Sequence, residues 1–293
     1  MGWSEYSSAL ITGAGIGSMY GLTALGYYIT YAISRTVNFA QGASLMIGAV
    51  LSFTLMQSWH WPTSLAVVMT LFCCALWGLA VERLGIQPFL RRGSDSWLMA
   101  TVAMGLIAEN IVLFTFGKDP RGMTSSLTQM GFSLAGLRLS AQQVMVPVVG
   151  FTIAGLLVLG MRYTAAGKAL AAIALNTPAA RLMGIDTGRF VILSFMISGM
   201  LAGVAGMMIA PLYTVSAGMG TIFGIKAFAA AILGGIDRPG GVMAGGLLLG
   251  IVEATLVTAI GSTYAQMFTF GLTILVLVVK PVGLFGRQGI RKV

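Results

Sequence analysis

Charge is what this sequence has least of. Asp, Glu, Lys and Arg make up 9% of its 293 residues, against about 25% in an ordinary soluble domain. With 57% of the chain hydrophobic, that shortage excludes a water-soluble fold and predicts an all-α polytopic membrane protein. Histidine is nearly absent: His60 stands alone between Trp59 and Trp61 and reads as part of an interfacial anchor, not as a ligand or base. The two cysteines, Cys73 and Cys74, are adjacent, so on a helix they point apart and cannot pair. No HExxH, CxxC or GxSxG pattern occurs. A phosphate loop, GxxxxGK[ST], would need Gly at 162 and Ser or Thr at 169, where the chain has Arg162 and Ala169. The expectation is therefore no catalytic site, metal site or resident cofactor, and an energy source that is either a partner chain or an ion gradient. A basic start and a small-residue cleavage site are also missing at the N-terminus, so the first hydrophobic stretch reads as a retained span.

What is present is glycine, with 40 residues, as close helix packing in lipid favours. Apolar stretches of spanning length fall at about 8–32, 43–58, 62–82, 97–117, 144–161, 190–211, 241–259 and 264–280. A shorter one at 224–235 makes an eighth-or-ninth-span ambiguity, with broken or half-spanning segments expected. The net charge of +9 follows topology, so nucleic acid is not an expected partner and membrane lipid is. With nine crossings, Arg35, Arg83, Arg91, Arg92, Arg162, Lys168, Arg181, Arg189, Arg238, Lys280, Arg287, Arg291 and Lys292 share one side. Only Lys118, Arg121 and Arg138 lie opposite, and Lys226 is left near a boundary. The positive-inside rule makes the basic side cytoplasmic, with the N-terminus outside and the C-terminus inside. Trp59 and Trp61 then mark the outer interface and Trp97 the inner one. The external loop 118–143 carries a pattern from Phe132 to Ser140 that fits a short surface helix or a hairpin.

The chain reads as one transmembrane domain, 1–293, with a polar cytoplasmic segment, 162–189, inside it. That segment, RYTAAGKALAAIALNTPAARLMGIDTGR, is far longer than a plain connector needs. Leu170, Ile173 and Ala174 share one helical face. Thr177 is placed to cap a second helix with Pro178 at its first position, and Gly184 to end it in a left-handed turn. Two short capped helices at a membrane surface predict a docking platform.

Polar residues within the apolar stretches are few. Glu109 with Asn110, and Glu253, cost roughly 2.5–3.5 kcal/mol at a helix centre if charged and facing lipid. They either line a pathway or gate, or make hydrogen-bonded helix contacts. Asn38 and Gln41, in the break SRTVNFAQG, either satisfy freed backbone groups or line a path. Asp237 and Arg238 read as a solvated turn pair. Residues 21–50 and 224–254 share a helix–break–helix rhythm, which under nine crossings predicts a parallel repeat.

Several segments together resemble one family, the LivH-like permease subunits of branched-chain amino acid ABC importers. They are YGLTALGYYITYAISRTVNFAQGASLMIGA (20–49), GKALAAIALNTPAARLMGID (167–186), FMISGMLAGVAGMMIAP (195–211), GIKAFAAAILGG (224–235) and KPVGLFG (280–286). The resemblance implies an ABC importer permease fold in a bacterial inner membrane. It also implies a second, paralogous permease, two cytoplasmic ATPases that bind ATP and Mg²⁺, and a periplasmic substrate-binding protein. ATPase coupling maps onto Gly167, Thr177, Pro178, Ala179, Ala180, Arg181 and Gly184. The implied cargo is a branched-chain or other small amino acid, with urea, amides, aromatic or other organic acids as alternatives within the family. An ion-coupled secondary transporter is the alternative outside it. GGIDRPGG (234–241) departs from the family, whose members more often carry small uncharged residues there.

Overall fold

A computed structural model describes residues 3–125, 130–134, 137–280 and 282–286; Arg287, Arg291 and Lys292 lie outside them. Among the described residues, nine apolar helices build the bundle. They are α1 (Trp3–Ser34), α2 (Gln41–Phe53, continued by a π turn at Thr54–Ser58), α3 (Thr63–Arg91), α4 (Trp97–Phe116), α5 (Ala141–Tyr163), then α8 (Thr187–Ile209), α9 (Met219–Gly234), α10 (Pro239–Ile260) and α11 (Ser262–Val279). Between α5 and α8 lie two short helices, α6 (Ala165–Leu175) and α7 (Thr177–Leu182). Seven of the nine are long and apolar enough to cross a membrane by themselves. The other two are α2, with 13 α-helical residues, and α9, with 16. The short stretch expected at 224–235 thus gains a turn from Met219 onward.

Contacts between connections show which helix ends lie together. At one end, Arg35 Nη2 at the foot of α1 donates to the Ala174 carbonyl of α6 at 2.9 Å, and Leu284 N donates to Leu233 O in the last turn of α9 at 2.8 Å. At the other end, Gln57 Nε2 donates to Thr124 Oγ1 at 2.9 Å. There strand β1 (Arg121–Gly122) pairs antiparallel with β4 (Thr214–Val215). Both α2 and α9 therefore run from one end of the bundle to the other, like the longer helices. The 118–143 loop contains a hairpin, β2 (Gly131–Leu134) on β3 (Leu137–Ser140). It leads into α5 through a capping box, in which Ser140 Oγ accepts from Gln143 N and Gln143 Oε1 accepts from Ser140 N. Exposed Trp59 and Trp61 flank His60, itself exposed in a left-handed turn (φ +54°), at this same end.

The core is made by α1, α2, α8, α9 and α10, and small residues set its geometry. Gly17 of α1 meets Gly246 and Leu247 of α10 backbone to backbone, and Gly42 of α2 meets Gly220 and Gly224 of α9. A methyl group at any of these glycines would run into facing backbone. In lipid, where apolar burial no longer drives helices together, such close approach gains the dispersion contacts that hold the bundle. Contact of α1 with α10 is accompanied by contact of α8 with α3, where Gly78 meets Phe195 and Gly199 meets Cys74. The short helices α2 and α9 cross each other between these pairs. Both 21–50 and 224–254 form a helix, a break at the same end of the bundle and a second helix.

Candidate functional site

Three polar features stand out from this apolar frame. The first is the α6–α7 platform. Thr164 Oγ1 accepts from Gly167 N at 3.0 Å and starts α6. Gly167 sits against the Gly160 and Met161 backbone at the end of α5, where no side chain fits. Leu170 and Ile173 are buried, turned towards α1 and α5. The second helix is capped by Asn176, whose Oδ1 accepts from Ala179 N at 3.1 Å, so the expected cap at Thr177 shifts by one residue. Thr177 instead returns its hydroxyl to Ile173 O at 3.0 Å. Asn is at least as good a cap as Thr, and its reach settles the register; Pro178 still falls where no N–H is needed. Gly184 closes the turn with φ +80°. Ala180 is buried, and Arg181 Nε donates to Thr187 Oγ1 at 2.8 Å, tying α7 to α8. Asp186 caps α8 through Arg189 N at 3.2 Å. Outward from this braced pair project Leu175, Leu182 and Met183, each more than four-fifths exposed.

The second feature is the break between α1 and α2. Asn38 and Gln41 are both buried. Asn38 Oδ1 accepts from Ala40 N at 3.0 Å and closes the turn. Gln41 Nε2 donates to Ser198 O at 3.0 Å, and Gln41 Oε1 accepts from Ser198 Oγ at 2.8 Å. The amide thus locks α2 to α8 with reciprocal bonds, and it leaves little of Gln41 free to face a pathway. Ser198 escaped the sequence reading, because a serine in FMISGML gives no sign of a partner more than 150 residues away.

The third feature is Glu109 and Glu253, which the structure separates; a third carboxylate, Glu82, is buried within α3. Glu253 of α10 forms an ion pair with Lys226 of α9, and Tyr20 Oη donates to Glu253 Oε2 at 3.0 Å. Lys226 is buried in the middle of α9; the 16-residue helix extends about two turns before it. A lysine and a glutamate, each embedded in an apolar run, could have been matched in the sequence by charge alone. Glu109 of α4 is only half-buried. Its Oε2 accepts from Thr221 Oγ1 of α9 at 2.8 Å. Beside it opens a cavity of about 240 Å³ between α1, α2, α4 and α9. Asn110 is not part of that cavity: it is exposed and bonds back to Leu106 O at 2.8 Å. Among the described residues no cluster of His, Cys, Asp or Glu has the makings of a metal site.

Known proteins place this arrangement. The family model described as "Branched-chain amino acid transport system / permease component" matches residues 9–277. The high-affinity branched-chain amino acid transport system permease protein BraD of Pseudomonas aeruginosa is 32% identical, over 99% of this chain and 98% of its own. LivH of Escherichia coli K12, a permease of the same description, is 32% identical over 97% and 96%. The probable branched-chain amino acid transport permease protein LivH of Methanocaldococcus jannaschii is 29% identical over 90% and 88%. In fold the chain is similar to a structure of PsaBC from Streptococcus pneumoniae in complex with Fab. That match has a TM-score of 0.50 at 13% identity, over 93% of this chain and 91% of that one. The match to the family model, the near full-length relatives and the helical bundle agree: this chain belongs to the branched-chain amino acid transport system permease family.

Proposed function

We propose that this chain is the non-catalytic membrane subunit of an ATP-driven importer, and that α6–α7 is where a cytoplasmic ATPase docks. The observation that carries this reading is the exposed apolar tip, Leu175, Leu182 and Met183, on a helix pair braced at every junction. A rigid element with an unpartnered apolar tip is suited to transmit a push, because its caps and its Arg181–Thr187 tie oppose fraying. Basic residues cluster at this end of the bundle, including Arg35, Arg162, Lys168, Arg181 and Arg189, which favours the cytoplasmic side of a bacterial inner membrane. The N-terminus then lies in the periplasm and the C-terminus in the cytoplasm. Transport-system relatives support a full complement of partners: a second, paralogous permease, two ATPases that hold ATP and Mg²⁺, and a periplasmic binding protein. The relatives' names support branched-chain amino acids as cargo. An ion-coupled mechanism through Glu253 finds less support, since that acid is already neutralised by Lys226.

Leu182→Glu with Met183→Glu tests the platform, because both side chains are exposed and neither supports the fold. The expected outcome is a permease that purifies normally with its paralogue but no longer retains the ATPase. Undiminished ATPase binding and uptake would overturn the assignment.

A further inference from the structure

The cavity beside Glu109 is built unevenly, and its two halves have different chemistry. Its floor is aromatic: Phe228 packs against Tyr27 at 5.5 Å and against Phe39 at 5.3 Å between ring centroids. Met46 and Leu106 add apolar walls. The polar rim is the Glu109 carboxylate and the Thr221 hydroxyl, held together at 2.8 Å. No Lys or Arg lines the space. At about 240 Å³ it lies below the roughly 300–1,000 Å³ of pockets for drug-sized ligands. A void with an apolar floor and one anionic rim selects a small molecule with an aliphatic body and a cationic head.

Part of the carboxylate's role is local. Glu109 Oε1 also lies close to Gly218, the residue that precedes α9 and has no side-chain cap of its own, so its charge favours that helix start. Thr221 supplies one hydrogen bond to one carboxylate oxygen, and an ionised carboxylate can accept about four. Glu253, by contrast, has both oxygens engaged. Of these two acids only Glu109 keeps capacity for a further donor, and it faces the cavity; Glu82 of α3, buried with Oε2 accepting no hydrogen bond, does not line it.

We propose that this cavity is a transit subsite for an aliphatic amino acid, with the α-ammonium group donating to Glu109 and the side chain lying over Phe228. The inference rests on the transport function proposed above and assigns the cargo a place within this subunit. Lacking a cation, the cavity holds only the ammonium end of a zwitterion and leaves its carboxylate towards the mouth. Such one-ended capture suits a step that must bind its cargo and then release it.

A cysteine at Val102, which lines the cavity and is exposed, reports occupancy without relying on ATP hydrolysis. In the whole importer, with Cys73 and Cys74 changed to alanine, maleimide labelling of Val102→Cys is followed with and without millimolar leucine. Leucine is expected to slow labelling about threefold at twice its Kd. Glu109→Gln should abolish the protection and Glu109→Asp should retain part of it. The isosteric acid 4-methylpentanoate, which lacks the ammonium group, should protect neither. Equal labelling with and without leucine, in a complex that takes up leucine with ATP, overturns the subsite and leaves the transport function standing. Loss of ATP-driven uptake for every amino acid tried, in the intact complex, overturns both. Protection that survives Glu109→Gln, or a Glu109→Gln complex that fails to assemble while Glu109→Asp fails equally, makes Glu109 a helix-start support and overturns its role in binding.

Discussion

Glu253 and Glu109 are both acids in apolar helices, yet their surroundings differ. Glu253 is enclosed by a lysine and a tyrosine from two other helices, and the cluster ties α10 to α9 and α1. Glu109 has a hydroxyl partner and an open cavity. Sequence position alone does not distinguish them, since each lies within a long apolar run. What separates them is whether the facing helix supplies the opposite charge. A neutralised cluster is part of the frame, whereas an acid with spare hydrogen-bonding capacity is available to something that passes.

The largest effect should come from breaking the closed cluster. Lys226→Met leaves Glu253 as an uncompensated charge, and removing one partner of a buried pair costs roughly 3–5 kcal/mol. The expected outcome is a steep drop in detergent melting temperature and in monodisperse yield. Lys226→Met with Glu253→Gln should recover most of the loss, because the stranded charge is gone. If the single and double variants melt alike, the two residues do not act as a pair.

Overpacking the crossing of α2 and α9 should come next. Gly220→Leu drives a side chain into the Gly42 backbone, and overpacking costs typically about 1–3 kcal/mol. Melting of the purified subunit should fall by an intermediate amount, and Gly155→Leu, on the open face of α5, should leave it unchanged. Similar melting for both variants would mean that the crossing is looser than described.

A cap at the platform should count for less. Asn176→Ala removes the acceptor for Ala179 N, and caps contribute about 1 kcal/mol. Hydrogen exchange should quicken in residues 177–182 while the bundle stays protected, and Thr177→Ala should have the smaller effect. The reverse order would restore Thr177 as the cap. Smallest of all is Glu109→Gln, for which the partly exposed setting predicts a stability change below about 1 kcal/mol, far below that of Lys226→Met.

Much of the architecture was legible from the sequence, because its signals are local. Apolar run length located the helices, and Pro178 with Gly184 bracketed α7 to within a residue. The cap was misplaced by one position because Asn176 and Thr177 are both good caps, and only the reach of each side chain decides between them. The apolar run appeared to start at Gly224, when α9 begins at Met219 and puts Lys226 at mid-helix. The Gln41–Ser198 lock and the contacts of α1 with α10 and of α8 with α3 are long-range matters. Hydropathy carries no information on which glycine meets which, and no single sequence reveals a partner on a distant helix.

The central claim is that this subunit moves its cargo only when an ATPase engages α6–α7. Its most direct test is amino acid uptake into proteoliposomes that hold both permeases and the ATPases, with binding protein supplied outside. Wild type should accumulate leucine with ATP, and Leu182→Glu with Met183→Glu should abolish that uptake while the permease pair stays folded. Accumulation by the permease chains without ATPase, driven by a proton or sodium gradient, would contradict the account.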